Sequence, residues 1–138
     1  MISFREFKEA IESAIEVLRK EDAFLRLERR KVLVVGDLHG DHSSLEAALG
    51  RLDDYDAIVF LGDYVDRGPE QLEVFVDLLR AKAGDPERVV TLRGNHETTQ
   101  MNHHYGFYEV VARRFGHGAF GLVASLYAEL PIAAVLNG

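Results

Sequence analysis

Residues 58–63 read Ile-Val-Phe-Leu-Gly-Asp, an apolar run that ends in a glycine and a carboxylate. Residues 32–37 (Val-Leu-Val-Val-Gly-Asp) and 89–95 (Val-Val-Thr-Leu-Arg-Gly-Asn) follow the same plan. Continuous β-branched runs are typical of strands that are buried on both faces, and such strands are usually parallel. Because ligands bind at the carboxyl ends of the strands in open α/β sheets, the residues that end these runs are predicted to form a binding site.

The segments that separate the three runs predict helices. Ser43 and Glu46 predict a capping box at the start of a helix near residues 43–51. Pro69 suits the first turn of a second helix near residues 69–82. Strands that alternate with helices in this way imply right-handed crossovers and a parallel sheet, so the predicted fold class is α/β.

Residues 1–28 predict a helical lead-in to this sheet. Apolar residues recur at three- and four-residue intervals over residues 4–18, which is the spacing of one helical face. Ser3 and Glu6 fit a capping box at the start of that helix. A second, short helical piece is expected around residues 24–27.

The remaining segments complete a single domain over residues 1–138. Helices are expected near residues 105–115 and 118–129, and a last strand is expected over residues 130–136. The sequence contains no repeat, low-complexity tract or interdomain linker.

The composition excludes several classes of protein. A length of 138 residues with 47% hydrophobic content suits one domain with a core. A formal charge of −7 argues against a nucleic-acid partner, which needs a basic face. The absence of cysteine excludes disulfides and thiolate metal sites and fits a reducing compartment. No apolar stretch approaches a membrane span and the N-terminus lacks a signal-peptide pattern, so we expect a cytoplasmic protein with no membrane partner.

The first of three short motifs is Gly-Asp-Leu-His-Gly at residues 36–40. Asp37 and His39 can both reach one cation, and the flanking glycines permit a tight backbone path around it. Taken alone, the pattern fits a strand-to-helix turn capped by the aspartate better than it fits a metal site.

The second motif, Gly-Asp-Tyr-Val-Asp-Arg-Gly at residues 62–68, is far more specific. Asp63 can bridge two metals through its two oxygens, and Asp66 and Arg67 follow closely. An arginine beside metals suits a phosphate, because its planar fork binds phosphate oxygens in a bidentate manner. The alternative is a local surface ion pair between Asp66 and Arg67.

The third motif, Arg-Gly-Asn-His-Glu at residues 93–97, adds a neutral oxygen ligand, Asn95, and an imidazole, His96, that can stay off the metal. An imidazole next to a metal cluster suits general acid or base catalysis. Each motif alone could be a capped turn. Three in order, each at the end of a predicted strand, favour a metal site that does chemistry.

Together the motifs resemble those of the metal-dependent serine/threonine phosphoprotein phosphatases, which are calcineurin-like metallophosphoesterases. Residues 101–108 and 130–134 are similar to the stretches that follow the third motif in that family, so the resemblance covers about residues 30–138. It implies the N-terminal half of a metallophosphoesterase α/β sandwich, with parallel strands and crossover helices.

The resemblance also implies two divalent metal ions. Asp37, His39 and Asp63 would hold the first ion, and Asp63 and Asn95 would reach the second. Two ions roughly 3.5–4 Å apart can share a hydroxide, lower its pKa and stabilise both oxygens of an in-line displacement. Mixed carboxylate, imidazole and amide ligands accept Mn²⁺, Fe²⁺ or Zn²⁺, and we expect Mn²⁺.

The remaining family roles fall on three residues. His96 would donate a proton to the leaving alkoxide, with Asp66 orienting it and keeping it cationic. Arg67 would bind the phosphoryl oxygens, since phosphoryl transfer depends on positioning and charge neutralisation. The family further implies direct attack by the metal-activated hydroxide, without a phosphoenzyme.

Family members continue past the segment that this sequence matches, with another strand, two histidines that complete the second metal site and a second phosphate-binding arginine. None of these follows Gly138. We therefore expect a part of a longer phosphatase, a gene product with a wrong boundary, or a chain that pairs with another copy. An uncovered strand edge and apolar face would favour self-association. Four local histidines are not expected to replace the absent ligands: His42, His103, His104 and His117.

Three functions stay open at this point. The first is a phosphatase that acts on phosphoprotein or phosphopeptide substrates. The second is a dinucleoside-polyphosphate hydrolase or a phosphodiesterase on the same scaffold, although the polyphosphate hydrolases typically lack an aspartate at the position of Asp66. The third is a non-enzymatic piece, which is either an inactive fragment or a module that binds one metal and a partner.

Overall fold

A computed structural model describes residues 1–138, and it confirms an α/β fold with parallel strands and a helical N-terminal lead-in. None of its helices combines the length and the apolar character that crossing a bilayer requires. The strands are β1 (Phe24–Leu27), β2 (Val32–Val35), β3 (Ala57–Phe60), β4 (Val89–Thr91) and β5 (Ala133–Leu136). The helices are α1 (Phe4–Leu18), α2 (His42–Leu49), α3 (Gln71–Gly84), α4 (Thr99–Tyr105), α5 (Phe107–Phe115) and α6 (Phe120–Tyr127).

The three predicted apolar runs form one parallel sheet in the order β2-β3-β4. Every residue of β3 and β4 is buried, as continuous apolar strands require. Because the strands are parallel, the loops that follow them leave from the same edge of the sheet. This arrangement brings the three motifs together.

The expected helical piece at residues 24–27 is wrong, because these residues form β1. They pair in parallel with β5 at the other end of the chain. Alternate β1 side chains, Leu25 and Leu27, pack against a cluster on the sheet that contains Val59 and Val90. A four-residue segment is too short to be stable as a helix, and a partner that lies more than 100 residues away decides its conformation.

Apolar side chains stay exposed around this two-stranded sheet. Phe24, Ile132 and Val135 are 68%, 58% and 46% exposed. The expected self-association depends on this surface and stays a prediction.

The lead-in helix α1 has the capping box that Ser3 and Glu6 predict. The Glu6 amide donates to the Ser3 hydroxyl (3.1 Å), and the Ser3 amide donates to the Glu6 carboxylate (2.7 Å). The buried face of α1, which includes Phe7 and Ile11, packs against α3. This contact covers the side of the core that lies opposite the β1–β5 pair.

Helix α2 begins one residue earlier than expected and with a different cap. The carboxylate of Asp41 accepts the Ser44 amide (3.2 Å) and both neighbouring serine hydroxyls, so the predicted Ser43–Glu46 capping box is wrong. An aspartate at the N-cap satisfies the same backbone donors that a serine would, and its position just before Ser43 shifts the start of the helix.

Two further helix boundaries differ from the predicted ones. Helix α3 begins at Gln71 rather than Pro69, and the backbone amide of Glu70, its N-cap residue, donates to the carbonyl of Gly40 in the neighbouring loop (3.0 Å). Gly106, with φ 122°, separates α5 from a short preceding helix, α4, that the sequence analysis did not predict.

The lead-in is also tied to the sheet by a buried lysine. Lys82 has no exposed side-chain area, and its Nζ donates to the carboxylate of Glu21 (2.5 Å) and to the carbonyls of Pro86 (2.7 Å) and Val89 (2.9 Å). Burial lowers the pKa of Lys82, while the bond to Glu21 opposes that shift. All three ammonium donors are used, so the charge is fully hydrogen-bonded.

We predict that Lys82→Met lowers the free energy of unfolding by roughly 3 kcal/mol, because it leaves the Glu21 carboxylate without its cation. Urea denaturation measures the change. Lys20→Met, at an exposed neighbour of Glu21, is the control and should alter stability by about 0.5 kcal/mol or less. The double variant Lys82→Met/Glu21→Leu should recover part of the loss, and a Lys82→Met protein as stable as the wild type would contradict the prediction.

Candidate functional site

The loops that follow β2 and β3 bring three predicted metal ligands together. Ligand atoms of Asp37, His39 and Asp63 all lie within 4.8 Å of one another, and this is the one such His/Cys/Asp/Glu group in the chain. The Nε2 atom of His39 lies 3.5 Å from a carboxylate oxygen of Asp37. The three side chains can therefore bind one cation.

The fourth predicted ligand, Asn95, joins the group through Asp63. Its carboxamide lies 3.0 and 3.1 Å from the two carboxylate oxygens of Asp63. When the amide nitrogen faces these oxygens it donates to both of them, and when the amide oxygen faces them the two residues offer a set of oxygen ligands. Carboxylate, imidazole and amide groups at these distances fit a divalent transition metal.

The tautomer of His39 agrees with a role as a ligand. Its Nδ1 atom lies 2.8 Å from the carbonyl oxygen of Val65, which can only accept, so Nδ1 carries the proton. In the neutral imidazole, Nε2, which faces Asp37, is then the nitrogen with the lone pair and can bind a metal. Backbone carbonyls commonly fix metal-binding imidazoles in this way.

The predicted acid, His96, lies beside the ligand group and is held by a different partner. Its Nδ1 atom is 2.7 Å from a carboxylate oxygen of the fully buried Asp66. Its ring lies edge to face with the ring of His39 at 4.7 Å. The hydrogen bond between Nδ1 and Asp66 leaves Nε2 of His96 to act on a substrate. The backbone amide of His96 donates to the Asp63 carboxylate (2.9 Å).

Arg67 is exposed and does not form the surface ion pair with Asp66 that was the alternative. Its guanidinium lies 4.7 Å from the centre of the Tyr105 ring, and its backbone amide donates to the Tyr105 carbonyl (3.2 Å). No carboxylate forms a salt bridge with Arg67, so its planar donor group can reach an anion from solvent.

The backbone is strained at these residues. Five non-glycine residues have positive φ, and four of them belong to the predicted site: His39 (42°), Asp63 (58°), Asp66 (70°) and Arg67 (73°). The Gly68 amide donates to the carbonyl of Asp66 (2.9 Å), which makes Arg67 the centre of a strained three-residue γ-turn. Such outliers cluster where a functional site needs a backbone shape that the surrounding structure enforces.

Glycines let the three loops touch backbone to backbone. A β-carbon on Gly62 would collide with the backbone of Gly94, and one on Gly68 would collide with the carbonyl of His39. The first pair joins the loops after β3 and β4, and the second joins the loops after β2 and β3. Close approach of the backbones therefore requires glycine at positions 62 and 68.

Glu97, for which the motif alone indicates no structural role, joins two of the loops. Its carboxylate accepts the backbone amides of Asp63 (2.6 Å), Gly94 (2.9 Å) and Tyr64 (3.1 Å). Burial raises the pKa of Glu97 to about 7, although these three donors act in the opposite direction. Its complete burial is unusual for a glutamate, but burial is not visible in a single sequence.

Gln71, for which the sequence alone indicates no role at the site, spans the strained turn with its side chain. Its Oε1 atom accepts the Asp66 amide (2.9 Å) and its Nε2 donates to the Gly68 carbonyl (3.0 Å). One carboxamide thus spans the γ-turn on which Arg67 lies. The residue precedes an apolar helical stretch, so its sequence context indicates only a helix start.

The four other histidines considered as ligands lie outside the candidate metal-binding group. His42 is engaged with Asp77 on α3 (2.6 Å), a bond that raises the pKa of His42. His103 stacks on the ring of Tyr108 at 3.7 Å, and the hydroxyl of Tyr108 lies 3.3 Å from Nδ1 of His117. His104 packs edge-on against Tyr105.

Comparison with known proteins identifies a matching family and a similar curated protein. Residues 30–138 match the calcineurin-like phosphoesterase family. The serine/threonine-protein phosphatase 4 catalytic subunit of Kluyveromyces lactis is 39% identical over 110 residues, which are 77% of this chain and 35% of that protein.

Two solved structures share the fold. A protein serine/threonine phosphatase from Saccharomyces cerevisiae, described as similar to human phosphatase PP5, superposes on 99% of this chain with a TM-score of 0.87 and 27% identity. A cold-active protein-tyrosine phosphatase from a psychrophilic Shewanella species gives a TM-score of 0.62 over 86% of the chain at 18% identity, a likeness of fold alone. The chain spans 46% and 43% of these two structures, so it corresponds to less than half of each.

We predict that Gln71→Leu speeds hydrogen exchange of the Asp66 backbone amide about tenfold, because it removes the acceptor of that amide and the second side-chain hydrogen bond that spans the γ-turn. Exchange measured by NMR on the ¹⁵N-labelled chain tests this. Gln100→Leu, at an exposed position on α4, is the matched control and should leave that amide unchanged. Equal exchange in Gln71→Leu and the wild type would show that the carboxamide does not hold the turn.

Proposed function

This chain belongs to the calcineurin-like phosphoesterase family, and on that premise we propose that it carries the N-terminal half of the active site of a metal-dependent serine/threonine protein phosphatase. The proposed reaction is hydrolysis of phosphomonoesters on phosphoprotein or phosphopeptide substrates. One observation carries the proposal: the metal-binding group of Asp37, His39 and Asp63 lies beside a buried Asp66–His96 pair.

The proposal assigns two divalent cations to the site. Asp37, His39 and Asp63 would hold the first, and Asp63 with Asn95 would bind the second. Cations there would lower the pKa of water and neutralise the charge on phosphoryl oxygens. We propose Mn²⁺ as the metal, since this ligand set accepts Mn²⁺, Fe²⁺ and Zn²⁺ and availability decides among them.

The chain's own residues supply the proton and the anion-binding group. His96 holds one ring proton against Asp66, so Nε2 is the atom that would give a proton to the leaving serine or threonine oxygen. Arg67 would bind phosphoryl oxygens through its exposed guanidinium, which Tyr105 supports from one side. Its exposure suits a phosphate that is attached to a protein surface.

The first test is metal binding by the 138-residue chain. We predict that Asp63→Asn weakens Mn²⁺ binding about 100-fold or more, because it removes the carboxylate that both ions would share. Isothermal titration calorimetry gives affinity and stoichiometry. Asp54→Asn, which affects only an exposed ion pair with Arg51, is the control and should bind like the wild type. Unchanged affinity in Asp63→Asn would remove the metal site from the proposal.

The second test is hydrolysis of a phosphothreonine peptide with added Mn²⁺. We predict that His96→Asn lowers kcat by a factor of about 10²–10⁴ and leaves KM nearly unchanged, as expected for a group that acts in the transition state. His104→Asn, an exposed histidine nearby in the chain, is the control.

Three results would count against this function. An unchanged kcat in His96→Asn would exclude it as the acid. Faster turnover of diadenosine tetraphosphate than of the peptide would favour a polyphosphate hydrolase. Mn²⁺ binding without hydrolysis of the peptide or of p-nitrophenyl phosphate would identify this chain as an inactive, metal-binding half.

A further inference from the structure

Asn102 on α4 is a fully buried polar residue whose carboxamide lies against the predicted catalytic pair. Its Nδ2 donates to the Asp66 carboxylate (2.9 Å) and to the backbone carbonyl of His96 (2.8 Å). Both amide protons are therefore used, and one residue contacts the acid's side-chain partner and the acid's own backbone. The two acceptors also fix which way the carboxamide faces.

The opposite end of this carboxamide is held by Tyr127 on α6. The Tyr127 hydroxyl donates to the Oδ1 atom of Asn102 at 2.5 Å, and the tyrosine is 2% exposed. Burial raises the pKa of Tyr127, so its hydroxyl keeps the proton that it donates. A phenylalanine at this position would pack in the same space but leave Oδ1 without a partner.

The Asp66 carboxylate has few other contacts that fix its rotation. One oxygen accepts the backbone amide of Phe107 (3.0 Å), and the other accepts from both Asn102 and His96. The backbone amide is one fixed donor. The Asn102 carboxamide is the second fixed donor. It alone of these two donors bonds to Oδ2, the oxygen that also contacts the His96 imidazole.

We propose that Asn102 and Tyr127 are positioning residues, which through Asp66 fix the orientation and the tautomer of His96. The chain of hydrogen bonds runs from the Tyr127 hydroxyl through the Asn102 carboxamide and the Asp66 carboxylate to Nδ1 of His96. The role of these hydrogen bonds in catalysis rests on the proposed phosphatase function. Their effect on the orientation of His96 does not depend on that function. Networks of this kind couple helices to a reacting group because each member constrains the next.

The test reads the imidazole of His96 directly. In the ¹⁵N-labelled, metal-free chain, the Nδ1 proton of His96 should give a slowly exchanging NMR resonance. Tyr127→Phe should speed exchange of that proton with water about tenfold, the factor that one lost hydrogen bond supplies. Asn102→Leu, which removes the donor itself, should have a larger effect.

A matched control separates positioning from general destabilisation. Val123→Ala removes buried apolar volume from α6, one turn before Tyr127, without touching the network. Both variants should lose stability in urea, but only Tyr127→Phe should change the His96 proton relative to core amides in the same sample. Equal exchange in the two variants, or no change in Tyr127→Phe, would overturn the proposal.

An activity measurement adds a second readout. With a phosphothreonine peptide and Mn²⁺, Tyr127→Phe should lower kcat about tenfold with KM unchanged. If the wild-type chain does not hydrolyse the peptide, the proposed function fails for this chain, while the NMR comparison still decides whether Tyr127 and Asn102 position His96.

Discussion

The carboxylate of Glu97 joins the loop after β3 to the loop after β4, and the geometry of the site depends on that junction. It accepts the amides of Asp63 and Gly94, at a point where the two backbones approach too closely for any side chain. Parallel strands bring the two loops to the same edge, but they do not set the distance between them. The buried carboxylate does so, and it thereby places the Asp63 carboxylate beside the Asn95 carboxamide.

The strained residues of the site are compensated by buried polar groups from the helices. Positive φ values at non-glycine residues cost on the order of 1–3 kcal/mol each, and four such residues lie within two adjacent loops. Gln71 at the start of α3 and Asn102 on α4 direct their carboxamides at this strained region. The helices thus have two tasks: their apolar faces fill the core, and single polar residues hold a backbone shape that local propensity disfavours.

The central sheet was predictable because residues that are close together in the sequence mark each of its strands. Each of β2, β3 and β4 is a short apolar run with a glycine and an oxygen donor at its end, and parallel pairing follows from the helices between them. The conformation of β1 was not predictable, since its partner β5 lies at the far end of the chain. The contacts of Gln71 and Asn102 were not predictable for the same reason, because nothing in the sequence shows which buried polar group a distant carboxamide will contact. The candidate metal ligands were easier to single out, because their motifs repeat at three strand ends. The structure brings all four side chains together, and their binding of a metal stays a prediction.

Two neighbouring histidines of the site, His39 and His96, differ in the hydrogen-bond partner of Nδ1. The rings of His39 and His96 are 4.7 Å apart, and each uses Nδ1 in a hydrogen bond. The partner of His39 is a backbone carbonyl, which accepts from Nδ1, orients the ring and leaves Nε2 to face a cation. The partner of His96 is the Asp66 carboxylate, which holds Nδ1 and leaves Nε2 to face a substrate. Side chains of the same type, almost in contact, are thereby suited to opposite tasks, and the difference comes from the acceptor behind each ring.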